Sequence, residues 1–159
     1  MRRTDREITE RDEVLRLLDS FDTVRLGLHD VVYPYTVPVN FARDPEQAEP
    51  VLYFHCAPEG KKAELLKKNG CVCVEADRSS GFLGVTNGVT TRYESVIGFG
   101  VCEEVTSEQE KIRALTLLLK RTGFGDTDAA ACASLGFTAV YRITLSELTG
   151  KRNRMTGKE

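Results

Sequence analysis

The sequence predicts a mainly β protein in which about six strands form an antiparallel barrel flanked by short helices. Short β-branched and aromatic segments, bounded by turn residues, recur along the chain. Strands and helices do not alternate regularly, as they would in a doubly wound parallel sheet. Gly98 and Gly100 lie inside the longest β-like segment, where glycine is typical of the bends and bulges that barrel closure requires. A barrel is favoured because closing the sheet removes its exposed edges.

The size and composition are those of one domain. The chain has 159 residues, of which 41% are hydrophobic and 29% are charged. That is enough for one buried core but too little for two ordinary domains. We therefore expect a single domain over residues 1–159, with an N-terminal helix region over 1–22 and a C-terminal tail over 150–159.

Charge, histidine and cysteine content disfavour several classes of function. The 22 basic and 24 acidic residues give a net charge of -2, without the basic footprint of a nucleic-acid-binding protein. Two histidines without metal-ligand spacing predict no metal site, and five cysteines without a CxxC pair predict neither disulfides nor a zinc knuckle. No stretch approaches the ~18 apolar residues of a membrane-spanning helix, and the basic N-terminus lacks an apolar signal core. We expect a cytoplasmic protein with no membrane partner.

The first half of the chain is predicted to contain one helix and three strands. The helix runs from about Thr9 to Asp19, with Thr9 as its cap and an apolar face between Val14 and Leu18. Residues 44–47, Asp-Pro-Glu-Gln, predict a hairpin turn. The strands are expected over Thr23–Leu28, Tyr33–Phe41 and Val51–His55.

The second half is predicted to contain two clear helices and three strands. A turn over Ala57–Gly60 leads into a helix that ends before Gly70. Ser107 and Glu110 form a capping box for the second helix, and Gly123 ends it. A loop rich in serine, glycine, threonine and asparagine is expected over residues 78–90, and a short helical stretch around 128–134. The two helices are predicted over 61–69 and 107–121, and the strands over 70–77, 92–105 and 138–145.

The junction between the third strand and the next helix is the strongest candidate for a binding site. There Lys61 and Lys62 open a helix directly after the turn that ends at Gly60. Unpaired amides and the positive dipole end at a helix start attract phosphate, and ammonium groups add charge-assisted contacts. Because the dipole disfavours paired lysines at this position, a bound anion would compensate for them. The alternative is a pair of solvated surface lysines.

Two residues at the end of this strand could carry chemistry. His55 could hydrogen-bond a ligand or transfer protons near neutral pH, although a structural histidine is the alternative. Cys56 follows it directly, so the two side chains point to opposite faces of the strand and do not form a nucleophile–base pair. Cys56 is therefore expected to be a packed thiol. The sequence has no GxSxG, P-loop or GxGxxG motif.

Three segments in this order resemble the nitroimidazole-resistance branch of the pyridoxamine 5'-phosphate oxidase-like proteins: Tyr33–Phe41, Leu52–Lys62 and Tyr93–Gly100. The start of the chain over Met1–Ile8 and the stretch Ile143–Lys151 are also similar, so the resemblance covers nearly the whole sequence. It implies a mainly β, six-stranded antiparallel split β-barrel with flanking α-helices. It also implies a homodimer that binds FMN in clefts between the subunits.

The resemblance further implies the site residues. The flavin ring would lie against the backbone of the Val37–Asn40 strand, and the phosphate would meet Lys61 and Lys62. Ser95 would donate its hydroxyl to phosphate or ribityl oxygens, and His55 would lie near the flavin as the candidate catalytic residue. The cofactor-binding residues expected on this basis are Val37, Pro38, Val39, Asn40, His55, Cys56, Ala57, Gly60, Lys61, Lys62 and Ser95.

The implied activity is a flavin-dependent oxidoreductase that reduces a small acceptor such as a nitroaromatic compound. One alternative is a non-catalytic flavin or haem carrier or sensor on the same barrel, and another is a deazaflavin in place of FMN. Oxidation of pyridoxamine 5'-phosphate itself is not expected, because that enzyme has a C-terminal tryptophan and an arginine-histidine segment. This chain has no tryptophan and ends in a short polar tail after residues 152–155. The unmatched regions 78–90 and 128–134 are candidates for shaping substrate access.

Overall fold

The structure, a computed structural model that describes residues 3–86, 88–131 and 137–153, is built on one eight-stranded antiparallel sheet. The strand order is β3-β2-β6-β7-β8-β5-β4, and β1 pairs with β8. The strands are β1 (Glu7–Ile8), β2 (Thr23–Leu28), β3 (Tyr35–Asn40), β4 (Ala42–Asp44), β5 (Val51–Cys56), β6 (Cys71–Val85), β7 (Gly88–Glu104) and β8 (Ala139–Asn153). The α-helices in the described ranges are α1 (Arg11–Asp19), α2 (Lys61–Lys68) and α3 (Glu108–Arg121), with short 3-10 turns at Thr4–Arg6 and Ala129–Ala131.

The prediction of a mainly β, antiparallel split barrel is confirmed. The sheet is not closed by hydrogen bonds, because β3 and β4 are its two edges. It is nevertheless curled, since Val39 of β3, Phe54 of β5 and Val74 of β6 belong to one core cluster. Leu17 and Leu18 of α1 complete this core from the helical side. No helix within the described ranges is long and apolar enough to cross a membrane.

The predicted number of six strands is wrong, because two of the eight strands are very short. β1 has two residues and β4 has three, too few to show the alternation by which a strand is recognised in a sequence. The loop predicted over residues 78–90 is also wrong. β6 and β7 continue through it as a hairpin, with Leu83 opposite Thr90 and Val85 opposite Gly88. Pairing with the facing strand outweighs the low β-propensity of its serines and glycines.

The helices agree with the prediction in position and differ at their caps. α1 begins after Glu10, and no side chain caps it, so the predicted Thr9 cap is wrong. The Ser107 cap of α3 is confirmed, because Ser107 Oγ accepts a hydrogen bond from the Glu110 N–H at 3.5 Å. The Glu110 carboxylate does not complete the capping box, since it accepts a hydrogen bond from the Tyr53 hydroxyl at 3.0 Å. Of the helical stretch predicted over 128–134, the structure describes a 3-10 turn over 129–131; residues 132–134, with Cys132, lie outside the described ranges.

The irregularity predicted at the glycines of the long strand lies in its partner: the extra residue of the bulge is Ser146 of β8, between the partners of Phe99 and Gly100. The pairing of β7 with β8 shifts register between Phe99 and Gly100. A Cβ atom at Gly100 would lie 2.1 Å from the carbonyl oxygen of Thr144, so the two backbones approach as closely as only glycine allows. β8 then runs on to Asn153, beyond the predicted end at residue 145.

The outer face of β7 carries an exposed apolar stripe. Along β7, Val96 and Cys102 point into the core, whereas Ile97, Phe99 and Val101 are 40%, 50% and 48% exposed. We call these three outward residues the β7 stripe.

Gly100→Ala is expected to lower the free energy of unfolding by about 2 to 4 kcal/mol, because its methyl group would collide with the backbone of β8. Urea unfolding followed by circular dichroism measures this. Gly84→Ala is the matched control, since a Cβ at Gly84 meets no atom within 4 Å, and it should change stability by less than about 0.5 kcal/mol. Equal effects of the two substitutions would show that the close approach at Gly100 does not limit the fold.

Candidate functional site

Most of the predicted site residues meet at the start of α2. β5 ends at Cys56, a turn follows, and α2 begins at Lys61. β3 reaches the same place, because the Lys61 ammonium lies 4.9 Å from the centre of the Tyr35 ring. The end of β5, the edge strand β3 and the first turn of α2 therefore converge.

Gly60 makes the turn into α2 possible. Its φ of 109° and ψ of 170° belong to a region that essentially only glycine occupies, and a Cβ there would meet nothing within 4 Å. Gly60 is the N-cap of α2 without a side-chain hydrogen bond to the helix. The N–H groups of the first turn are therefore left to solvent or to an anionic ligand.

Lys61 points outward and is already paired. Its ammonium lies 2.8 Å from Asp30 Oδ2, with the Lys61 side chain 56% exposed and the Asp30 side chain 24% exposed. The hydrogen bond from Lys61 lowers the pKa of Asp30 below its usual value, and the same bond raises the pKa of Lys61. Both groups therefore stay charged across the neutral range.

Lys62 turns the other way, toward the core. Its ammonium lies 5.4 Å from the centre of the Phe54 ring, which stacks on Tyr141 at 5.1 Å. Burial raises the pKa of the Cys56 thiol, and the nearby Lys62 ammonium offsets only part of that rise. Cys56 is therefore held as a thiol, as expected of a packed residue and not of a nucleophile.

His55, at the end of β5, and Ala57, in the turn that follows, are exposed. His55 is exposed while Cys56 is half-buried, so the two side chains point to opposite faces of β5 as predicted. Within the described part of the chain, His55 has no hydrogen-bond or ion-pair partner. Its imidazole is thus free to contact a ligand that lies over the end of β5.

β3 presents backbone to the same region. It is an edge strand bonded only to β2, so alternate N–H and C=O groups face away from the sheet. Val39 is buried and Val37 packs against the core, while Pro38 and Asn40 are exposed. Asn40 Nδ2 donates to the carbonyl oxygen of Asp22 at 3.1 Å. A ligand on this edge would therefore contact mainly main chain, as the prediction for Val37–Asn40 requires.

Ser95 is the predicted site residue that one chain does not bring to the lysines. Ser95 pairs with Lys151 near the end of β8, whereas Cys56 pairs with Ala139 at its start. About 40 Å of strand, at about 3.3 Å per residue, separates the two places along β8. Ser95 shares the outer face of β7 with Ile97 and Phe99, because alternate residues of a strand point to the same side.

Sequence reasoning missed Asp30 and Tyr35 as neighbours of Lys61. Asp30 was recognisable only as a turn residue after β2, and its contact spans 31 positions of sequence through the β2–β3 hairpin. Across the described ranges, no group of three His, Cys, Asp or Glu side chains is placed to hold a metal ion.

Residues 10–152 match the family model described as pyridoxamine 5'-phosphate oxidase. Among solved structures, a candidate 5-nitroimidazole antibiotic resistance protein from Bacteroides thetaiotaomicron is similar at 26% identity and a TM-score of 0.75, over 91% of this chain and 85% of that one. A comparison with curated proteins finds no match.

Two further structures are similar in fold. The flavocytochrome Anf3 from Azotobacter vinelandii has a TM-score of 0.82 at 16% identity, over 100% of this chain and 74% of that one. An FAD and heme binding protein from Mycobacterium smegmatis has a TM-score of 0.80 at 18% identity, over 97% of this chain and 76% of that one.

Proposed function

Because the chain belongs to the pyridoxamine 5'-phosphate oxidase family, we propose that it binds FMN at the start of α2 and passes electrons from it to a small acceptor. The family is a flavin-binding split-barrel family. The observation that carries the proposal is the convergence of an uncapped helix start, the Lys61 and Lys62 ammonium groups and the free edge of β3.

These residues fit a flavin phosphate. A phosphate monoester carries close to two negative charges at neutral pH, and the first turn of α2 offers it free N–H groups with Lys61 beside them. Lys62 adds positive charge from the inner side of the helix. The main chain of β3 and the exposed Pro38 offer a flat edge for the ring system. Bound here, the flavin would supply transfer of a hydride or of electrons to the acceptor.

The protein's own chemical contribution would come from His55. Reducing a nitro group or a quinone consumes protons as well as electrons, and imidazole exchanges protons near neutral pH. His55 is exposed at the end of β5, the strand that leads through the turn to the proposed phosphate site. Its part in the reaction would be to deliver a proton to the acceptor.

A second copy of the chain would complete the site. The family is often dimeric, and the β7 stripe is an exposed apolar surface of the kind that marks a protein interface. Ser95 lies on the same face of β7 and is remote from the lysines of its own chain. In a homodimer joined through this face, Ser95 of one copy would approach the flavin held by Lys61 and Lys62 of the other.

The second candidate is a non-catalytic carrier or sensor of flavin or haem. One similar structure is named a flavocytochrome and another an FAD and heme binding protein. Haem iron is commonly held by histidine, and the two histidines of this chain, His29 and His55, are both exposed. A buried axial ligand of that type is therefore lacking, which favours flavin over haem.

Turnover distinguishes the enzyme from the carrier. The protein, loaded with FMN and reduced without oxygen, should be reoxidised rapidly by a nitroaromatic compound or a quinone in stopped-flow absorbance. His55→Ala should slow this step by about 100-fold, as loss of a general acid does, and should leave FMN affinity within about threefold. Slow reoxidation by every acceptor would favour the carrier, and an unchanged rate in the variant would make His55 a bystander.

The double substitution Lys61→Ala with Lys62→Ala should raise the Kd for FMN by about 100-fold or more, because each charge-assisted contact contributes ~1.5–3 kcal/mol. Quenching of flavin fluorescence measures the affinity. Lys67→Ala with Lys68→Ala is the matched control, since it removes the same charge from the other end of α2. Equal FMN affinities of the two double variants would contradict binding of the phosphate at the start of α2.

Phe99→Asp should dissociate the homodimer, raising its dissociation constant by about 100-fold or more, because it places a charge in the middle of an apolar interface. Sedimentation velocity measures this. Phe124→Asp, at a side chain that is 66% exposed beyond α3, should leave association unchanged. A Phe99→Asp protein that stays dimeric would place the interface on another face.

A further inference from the structure

Asp30 already forms an ion pair with Lys61, the cation that the proposed flavin phosphate needs. Its Oδ2 lies 2.8 Å from the Lys61 ammonium, while its Oδ1 accepts a hydrogen bond from the Val31 N–H at 2.8 Å. The Asp30 carboxylate thus contacts both Lys61 at the start of α2 and the backbone of its own loop. A phosphate oxygen approaching Lys61 would have to share this ammonium group with Asp30 or displace it.

The loop that carries Asp30 is unusual in composition. The β2–β3 loop, residues 29–34, holds three consecutive apolar side chains, and Val31, Val32 and Tyr33 are 93%, 73% and 76% exposed. Asp30 is the residue of this loop for which a side-chain contact to α2 is described. The loop is therefore fastened beside the proposed flavin site by one ion pair, with its apolar side chains in solvent.

We propose that Asp30 is an internal competitor for the phosphate at Lys61 and thereby a residue that sets the affinity of the site for phosphorylated flavin. Binding of the phosphate releases the β2–β3 loop from α2. This inference rests on the proposed flavin site. Asp30 contributes no contact to the ligand; it acts through Lys61.

The energy of the pair fits such a competition. An exposed or half-exposed ion pair is weak, and a doubly charged phosphate that also meets the helix amides can replace one carboxylate. Removing Asp30 also removes its repulsion of the incoming anion. Both effects act only on ligands with a phosphate, so riboflavin, which lacks one, is the matched ligand.

Asp30→Asn should tighten FMN binding by about threefold to tenfold and leave riboflavin binding unchanged. Fluorescence titration of both ligands measures this. Asp22→Asn, which removes an exposed carboxylate at the opposite end of β2, should alter neither affinity. Unchanged FMN binding by Asp30→Asn would overturn the proposal, because Asp30 would then have no effect on the site. Weaker FMN binding would also overturn it, because Asp30 would then position Lys61 for the ligand.

Amide hydrogen exchange of residues 30–33 tests the fastening without a flavin. Lys61→Ala and Asp30→Asn should each speed exchange of this loop, and 50 mM inorganic phosphate should do so in the unmodified protein relative to chloride at equal ionic strength. If neither substitution nor phosphate changes the exchange rate of residues 30–33, the Asp30–Lys61 ion pair does not hold the loop to α2. A protein that binds neither flavin but shows these exchange changes would contradict the proposed function and leave the competition at Lys61 standing.

Discussion

The backbone conformation at Gly60 is the constraint on which the proposed site depends. Its positive φ completes the turn over residues 57–60 that leads from β5 into α2, and the helix start has no side-chain cap. The two lysines that follow point to different sides of the helix, because consecutive helix residues are about 100° apart around its axis. Lys61 meets Asp30 and the ring of Tyr35 at the surface, whereas Lys62 lies over Phe54 at the edge of the core. Lys61 is therefore an exposed cation beside the turn, and Lys62 is a half-buried cation at the edge of the core.

Local patterns in the sequence predict the elements whose bounds depend on neighbouring residues. β2 has the predicted bounds, α2 differs by one residue, and Ser107 caps α3, because short-range periodicity and capping chemistry decide these features. Features decided by distant partners are not predictable in this way. The β6–β7 hairpin continues through a segment of low β-propensity because each arm pairs with the other, and Glu110 leaves its capping box for the hydroxyl of Tyr53.

In the candidate site too, contiguous residues are predictable from the sequence and contacts between distant residues are not. The sequence located the strand end, the turn and the lysines, since these are contiguous, and the edge of β3 joins them in the structure. The Asp30 contact required the fold, because a β-hairpin brings it to Lys61. Ser95 lies far along β8 from the lysines, on the apolar outer face of β7. One chain thus holds two parts of the proposed site on separate surfaces, and a two-fold dimer is the arrangement that would unite them.

Sedimentation velocity monitored at the visible absorbance of FMN, on protein mixed with equimolar FMN and then desalted, tests this account most directly. We expect the flavin absorbance to sediment with a species of about 35 kDa, twice the 17.7 kDa of one chain. Flavin absorbance that moves with a single chain would contradict a site shared between two copies. Folded protein that sediments without visible absorbance would contradict the flavin site itself.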